Sequence, residues 1–410
     1  MKVLMVHEFF IMYWLPRIKA LSKYLRDKGI ELPLIDIASS GGTSYEYVKE
    51  SLPSIRDIQF LRLFKNNKYG ELSVRDISLA LWKVLERENP DVVLAPAIAF
   101  PSGATAVRWC RTRKRPVIIM DDVRLQDVPR TWLTNFVKRR IYLNVNAAFI
   151  PAPSHDKTYI SWGLPQNRLF YGLDCNDNDF FRQRSKEIRQ QKEIYKINHS
   201  LPDNYFLCVC RLLKRKNLVN MILAYGEYRH QASDSLWDLV LVGDGPQKKN
   251  LEELVLHSGI KGVHFFPWCD QNVLCEYYAL ARCLILASFS ETWGLVVNEA
   301  MACGLPVIVS NQCGCSNSLV KESLNGWTFS PYEPEQLTKL MLQMANQHDQ
   351  NLERMGAESA SIISHWGLDR FCKGVWDAIE TCKNDSWGYR SLLDRMILYL
   401  WRGRIQSKDH

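Results

Sequence analysis

Glu291 and Glu299 stand eight residues apart in the stretch "SFSETWGLVVNEAMACGLPVIVS" (288–310), which is otherwise largely apolar. Glu291 follows the run "CLILAS" in a short polar turn, and Glu299 lies in a helix-like segment whose other polar side chain is Asn298. A carboxylate in such surroundings needs hydrogen-bond donors, because burial without them raises its pKa until it neutralises. Sugar hydroxyls are good donors. Gly294 falls in the first turn of the same segment, where backbone N–H groups have no partner within the helix. A glycine there lets a ligand approach the backbone, and the helix start favours an anion such as phosphate. Two glutamates flanking that start would hold the two sugars of a nucleotide sugar, one on either side of its diphosphate. Spacing alone leaves a plainer alternative open, a capping Glu followed by a solvated Glu on a surface helix.

A second set of residues carries the opposite charge. Arg211 ends the apolar run "YFLCVC", and Lys216 comes five residues later in "RLLKRKN". A basic pair at the carboxyl edge of a parallel strand faces the ligand crevice, Arg as a fork for phosphate oxygens and Lys as a point charge. Taken alone, the same residues also read as a solvated basic turn.

These side chains need a scaffold. Strands are predicted at 2–7, 91–96, 116–121 and 147–152, then at 205–210, 239–244, 262–267, 283–288 and 305–310. Runs that are apolar throughout, rather than alternating, suit parallel strands covered on both faces. Between them lie helical patterns such as "LPRIKALSKYLRDKG" and "QKKNLEELVLHSG", each ending at a Gly suited to a C-cap. The alternation predicts an α/β protein of two doubly wound, Rossmann-like domains facing a central cleft, where such sheets bind ligands. The domains are expected at 1–172 and 205–364, joined by a polar linker over 173–204 and followed by a tail over 365–410.

Composition sets outer bounds. The 410 residues, 47% hydrophobic and 23% charged, suffice for two domains with a core each. A net charge of +8 is a mild excess that suits an anionic small molecule, a membrane surface or nucleic acid alike. The twelve cysteines show no C-x2-C spacing and the nine histidines no H-x3-H cluster, so no metal site is expected. The thiols read as buried and reduced in a cytoplasmic protein. The N-terminus lacks the pattern of a secretory signal, and no apolar run approaches the ~18–20 residues that cross a bilayer. Neither an aromatic-and-basic RNA platform nor a helix-turn-helix pattern is present, so nucleic acid is not an expected partner.

Taken together the motifs resemble the retaining glycosyltransferases of family 4, which have the GT-B fold. "SETWGLVVNEAMACGLPVIVS" is similar to that family's E-x7-E signature with its trailing E-A-x-A-x-G-x-P-V-I, and "CRLLKRKN" to its R-L-x-x-x-K segment. "LVLVGDGP" (239–246) resembles the turn between those two, and 153–181 resembles the stretch that closes the first domain. "HWGLDRFCKGVWDAI" (365–379) is similar to the segment that carries the chain back to the first domain. The resemblance implies that Arg211 and Lys216 neutralise the donor diphosphate, helped by backbone N–H groups at Gly294 and Leu295. It implies Glu299 on the ribose, Glu291 on the transferred sugar, and the base against the loop around Pro267 and Trp268. No metal or other cofactor is implied, because cations and helix N–H groups can stabilise the leaving diphosphate.

Two departures from the family pattern stand out. The first loop, "HEFFIMYWLPRI", has no Gly pair, and the place of a family His is held by Asp122. Asp122 reads either as a cleft-facing group orienting the acceptor hydroxyl or donor sugar, or as a helix-capping Asp in "MDDVRLQD". In the loop "CGCSNSLV", Asn317 stands where members often have Glu.

Two further segments mix aromatic and basic residues, "RTWLTNFVKRRIYLNV" (130–145) and "YRSLLDRMILYLWRGR" (389–404). They read as basic amphipathic helices lying on an anionic membrane, with a lipid-linked saccharide as acceptor, or as core-packing helices with a wet basic side. A peripheral location on the inner face of the membrane follows from the first of these. Besides transfer from a nucleotide sugar donor to a saccharide or lipid-linked acceptor, the sequence admits a nucleotide-sugar epimerase or hydrolase. A non-catalytic sugar-binding subunit on the same fold is the remaining alternative.

Overall fold

In a computed structural model, the described residues are 1–10, 13–40, 60–232 and 236–405, so part of the first loop (11–12) lies outside them. The chain divides into two units: Met1–Cys175 with Leu368–His410, and Asn176–Gly367.

The first unit is built on a seven-stranded parallel sheet of order β3-β2-β1-β4-β5-β6-β7. Its strands are β1 (Val3–His7), β2 (Leu34–Ser40), β3 (Leu61–Lys68), β4 (Val92–Pro96), β5 (Val117–Met120), β6 (Ala147–Ile150) and β7 (Leu169–Tyr171). Helices α1 (Trp14–Arg26), α2 (Val74–Glu88), α3 (Pro101–Arg113), α4 (Trp132–Tyr142) and α5 (Asp156–Ser161) connect them. Alternate residues of β1 enter different cores: Leu4 and Val6 pack with Ile77 and Val107, Val3 and Met5 with Ile18 and Val375. Covering on both faces is why the central strands are apolar throughout.

The second unit holds helices α6 (Asn178–Gln190), α7 (Lys192–His199), α8 (Leu218–Gln231), α9 (Lys248–Ser258), α10 (Gln271–Leu280), α11 (Leu295–Ala302), α12 (Ser316–Leu319), α13 (Pro334–Ala345) and α14 (Asp349–Ser364). Its strands are β8 (Tyr205–Val209), β9 (Asp238–Val242), β10 (Val263–Phe266), β11 (Cys283–Leu286), β12 (Val307–Ser310) and β13 (Gly326–Phe329). They form a six-stranded parallel sheet of order β10-β9-β8-β11-β12-β13. The chain then returns to the first unit as α15 (Leu368–Cys382) and α16 (Leu392–Leu400). Phe371, Val375 and Ile379 of α15 join the core around β1 and β6.

Nine strands lie where the apolar runs predict them, and four more do not. Of those four, β3, β7 and β13 are edge strands, and β2 interrupts its apolar pattern with Asp36. The expected linker over 173–204 is a correction: most of it is α6 and α7 of the second unit. Phe181, Ser185 and Ile188 of α6 are buried at helical spacing among charged residues that face water. Arg189 fixes the helix in place by donating to the carbonyls of Ala279 (2.9 Å) and Cys303 (2.6 Å), at the ends of α10 and α11. Ten of the twelve cysteines are buried and all twelve are free. Among the described residues no helix is long and apolar enough to cross a membrane.

Candidate functional site

In the second sheet the strand order reverses between β8 and β11, which pair directly. Such a switch point opens a crevice at the carboxyl ends of the two strands. The turn after β8 passes through Lys214–Lys216 and ends at Asn217, in the left-handed region at φ 58°, where α8 begins. The turn after β11 ends at Gly294, at φ 108°, where α11 begins. A Cβ on Gly294 would also lie 2.9 Å from a Leu286 methyl, so this start requires glycine.

The two turns are joined. The Phe289 N–H donates to the Arg215 carbonyl at 2.9 Å, and the Lys216 ammonium donates to Oε2 of Glu291. The pair is mostly withdrawn from water, with side chains 11% and 13% exposed. Burial pushes the Lys216 pKa down, but the Glu291 carboxylate and the Cys210 thiol together outweigh it and hold the ammonium above its ordinary value. Lys216 is therefore a fixed positive charge beside the open end of α11. Ser288 Oγ lies 3.5 Å from the same Glu291 oxygen, and the Glu291 carbonyl accepts from the Gly314 N–H at 2.9 Å.

The "VGDGP" turn after β9 locks the first of these turns from the other side. Leu212 N–H donates to the Asp244 carbonyl at 2.9 Å and Gln247 N–H to the Leu212 carbonyl at 3.0 Å. A Cβ at Gly243 would lie 2.0 Å from the Cys210 carbonyl oxygen, so the two backbones meet only because glycine stands there. Arg211, partly buried, is carried between these locked turns.

Glu299 has a different setting. It is fully buried on α11, one turn after Leu295, and accepts from the Tyr278 hydroxyl at 2.6 Å. Asn298 beside it accepts from the Trp293 indole at 2.9 Å, and that indole packs on Trp366 at 5.4 Å between centroids. Trp268 is 37% exposed in the loop after β10. Burial, with Asp270, Glu276 and Glu299 nearby, raises the neighbouring Cys269 thiol, so this loop lies within electrostatic reach of Glu299. Lys216, Glu291 and Gly294 thus come together directly, with Glu299 further along the same helix.

Asp122 belongs to the first unit, in the loop after β5. It does not cap a helix: the next helical turn, Leu125–Asp127, has Arg124 at its start, whose N–H donates to Asp127 at 2.9 Å. The built-in carboxylate there is Asp121, which accepts from the Tyr142 hydroxyl at 2.8 Å. Sequence reasoning passed over Glu8, although a carboxylate directly after the apolar run of β1 was the available signal. Glu8 is buried at the carboxyl end of the first sheet and accepts from Ser102 at the start of α3. Its Oε2 has no hydrogen-bond partner among the described residues. Burial pushes its carboxyl up to about 7 and the adjacent His7 imidazole down to about 4. Tyr278 was also missed, and an aromatic in "CEYYALA" gives no sign that it serves a carboxylate. Among the described residues no three His, Cys, Asp or Glu side chains gather as a metal site would require.

Known proteins are similar to this chain in sequence and in fold. The family model described as glycosyl transferases group 1 matches residues 189–361, the span that holds all three turns. Sulfoquinovosyl transferase SQD2 of Arabidopsis thaliana is 33% identical over 376 residues, covering 88% of this chain and 67% of that protein. A D-inositol 3-phosphate glycosyltransferase of Streptomyces griseus is 30% identical over 145 residues, and the match spans only 30% of that relative's length. Among solved structures, HepE of Anabaena in complex with UDP-glucose has the same fold. Its TM-score is 0.69 at 16% identity, covering 93% of this chain and all of that one. The two parallel α/β units are those of a GT-B fold. With the SQD2 likeness running along most of both chains, this protein belongs to the glycosyl transferases group 1.

Proposed function

We propose that this protein transfers a sugar from a nucleotide-diphosphate sugar to a saccharide or lipid-linked glycan acceptor, as a retaining, family 4 enzyme. The observation that carries the reading is the Lys216–Glu291 pair lodged at the start of α11, at the switch point of the sheet. The donor diphosphate lies against Lys216, Arg211 and the N–H groups of Gly294 and Leu295. Its β-phosphate then leaves with added negative charge, while positive charge grows at the anomeric carbon. Preorganised cations and N–H groups aimed at the leaving group lower that barrier, and in this reading they do the work a divalent metal does elsewhere. Glu291 contacts the transferred sugar, Glu299 the ribose and Trp268 the base. Asp122 orients the acceptor hydroxyl, which attacks on the face the diphosphate departs from. The UDP-glucose bound by HepE makes uridine diphosphate sugars the first donors to try. The setting is the cytoplasmic side of a membrane, in synthesis of a cell-surface polysaccharide or glycolipid.

The test follows release of free nucleoside diphosphate from each nucleotide sugar, with and without acceptor. Release that requires acceptor is expected. Isomerisation of the donor, or saturable binding with no turnover across a broad acceptor panel, would overturn the reading. Glu291→Ala and Lys216→Ala should each lower turnover by about 10²–10³-fold or more with the fold intact. Near-normal turnover in either would remove the site assignment.

A further inference from the structure

Helices α4 and α16, some 250 residues apart in the chain, lie side by side in the first unit. Arg140 of α4 donates to Asp394 (2.6 Å) and to Ser391 (3.0 Å) at the start of α16. Beyond α16, the Trp401 indole donates to the Ile98 carbonyl at 2.7 Å. The inner face of α16 is thereby satisfied, with Leu398 and Asp394 buried and Ile397 and Trp401 packed on the core. Its outer face is apolar as well. Leu392 is 83% exposed, and Met396, Tyr399 and Leu400 follow it on one stripe. On α4, Trp132 is 79% exposed, with Leu133 and Phe136 beside it. Single exposed apolar residues are ordinary, but several on each of two adjacent helices mark a surface that meets something.

Charge says what. Residues 128–147 and 386–405 carry eight Lys and Arg and one acid, Asp394, which is buried against Arg140. Arg139 of α4 and Arg395, Arg402 and Arg404 of the C-terminal segment are exposed, and Lys138, buried in α4, lies within electrostatic reach of Arg404. Two copies of this face meeting each other would oppose like charges, which disfavours self-association. We propose that α4 and α16 together form a platform that lies on an anionic lipid bilayer. The apolar stripes enter the headgroup boundary, Trp132 and Tyr399 sit at headgroup level, and Arg139, Arg395 and Arg402 reach lipid phosphates. The platform stands on the exposed faces of one unit and does not depend on the reaction proposed above.

The experiment is co-sedimentation of the full chain, without donor or acceptor, on phosphatidylcholine vesicles with and without phosphatidylglycerol. Binding to the anionic vesicles should exceed binding to the neutral ones by about tenfold or more, and should fall with salt. Arg395→Gln with Arg402→Gln should weaken it about twenty-fivefold. Leu392→Ser with Met396→Ser and Leu400→Ser should weaken it about tenfold or more, with the thermal melt unchanged because these side chains are exposed. Equal binding to both vesicles, no binding, or variants that bind as the parent does would each overturn the proposal. So would sedimentation showing a dimer that the serine variant dissociates, which would assign the face to a second copy.

Discussion

Glu291 follows β11 in one unit and Glu8 follows β1 in the other, so each leaves a buried parallel strand at its carboxyl end. Their partners differ. Glu291 meets the ammonium of Lys216, delivered by a turn after the neighbouring strand. Glu8 meets the Ser102 hydroxyl and, 3.9 Å away, an imidazole that burial keeps neutral at ordinary pH. One carboxylate therefore sits in an ion pair, and the other is pushed to about 7 and holds its proton readily. The topological place is shared, and what a neighbouring strand brings to it decides whether the edge is charged. A charged edge suits a diphosphate; a nearly neutral one suits hydroxyl groups.

The comparison breaks most severely at Lys216. Lys216→Met strands Glu291 as a buried charge and should cost about 3–5 kcal/mol of stability in urea unfolding. Adding Glu291→Gln should recover most of that loss without recovering turnover. If the double variant is no more stable than the single one, the pair is not the unit described.

Glu8 sharpens the comparison through pH. Its folded pKa of about 7 lies above the ordinary 4.5, so between those values the folded chain holds a proton that the unfolded chain has released. Stability from this group therefore falls as pH rises from 4.5 to 7. His7, lowered from 6.5 to about 4, works in the opposite direction, its contribution rising with pH between about 4 and 6.5. The two slopes nearly offset in the parent. Glu8→Gln should expose the His7 slope and gain on the order of 3 kcal/mol over the parent above pH 7. Parallel stability curves for the two proteins would show that Glu8 is not held as described.

The smallest effect is at Glu299. Tyr278→Phe removes the hydroxyl that donates to this buried carboxylate and should cost about 1.5–3 kcal/mol, read as a lower melting temperature. An unchanged melt would mean that Glu299 does not rely on that donor.

Much of the fold was legible because burial on both faces leaves a mark in the sequence. Strands β4, β5, β6, β8, β11 and β12 are short apolar runs bounded by turn residues, and they lie where those runs stand. The edge strands β3 and β7 were not legible. An edge has one partner and more water, so "LRLFKNNK" carries polar residues that hide its pairing. Helix α6 was read as linker for a related reason, since four buried positions among many charges resemble a solvated segment. The site was legible in part. Arg211, Lys216, Glu291, Gly294 and Glu299 stood out by type and spacing, whereas Glu8 and Tyr278 gave no motif.

The sequence by itself determined two parallel-sheet α/β halves, the glycine at the start of α11 and a supply of opposite charges near it. These follow from local rules: apolar runs, the φ freedom of glycine, and which residues end strands. Only the tertiary structure decided that Lys216 pairs with Glu291, because 75 residues separate them and strand order alone makes their turns neighbours. It likewise decided that α4 and α16 share one surface. Pairing across such distances depends on which strands and helices lie adjacent, and no local pattern in the chain records that.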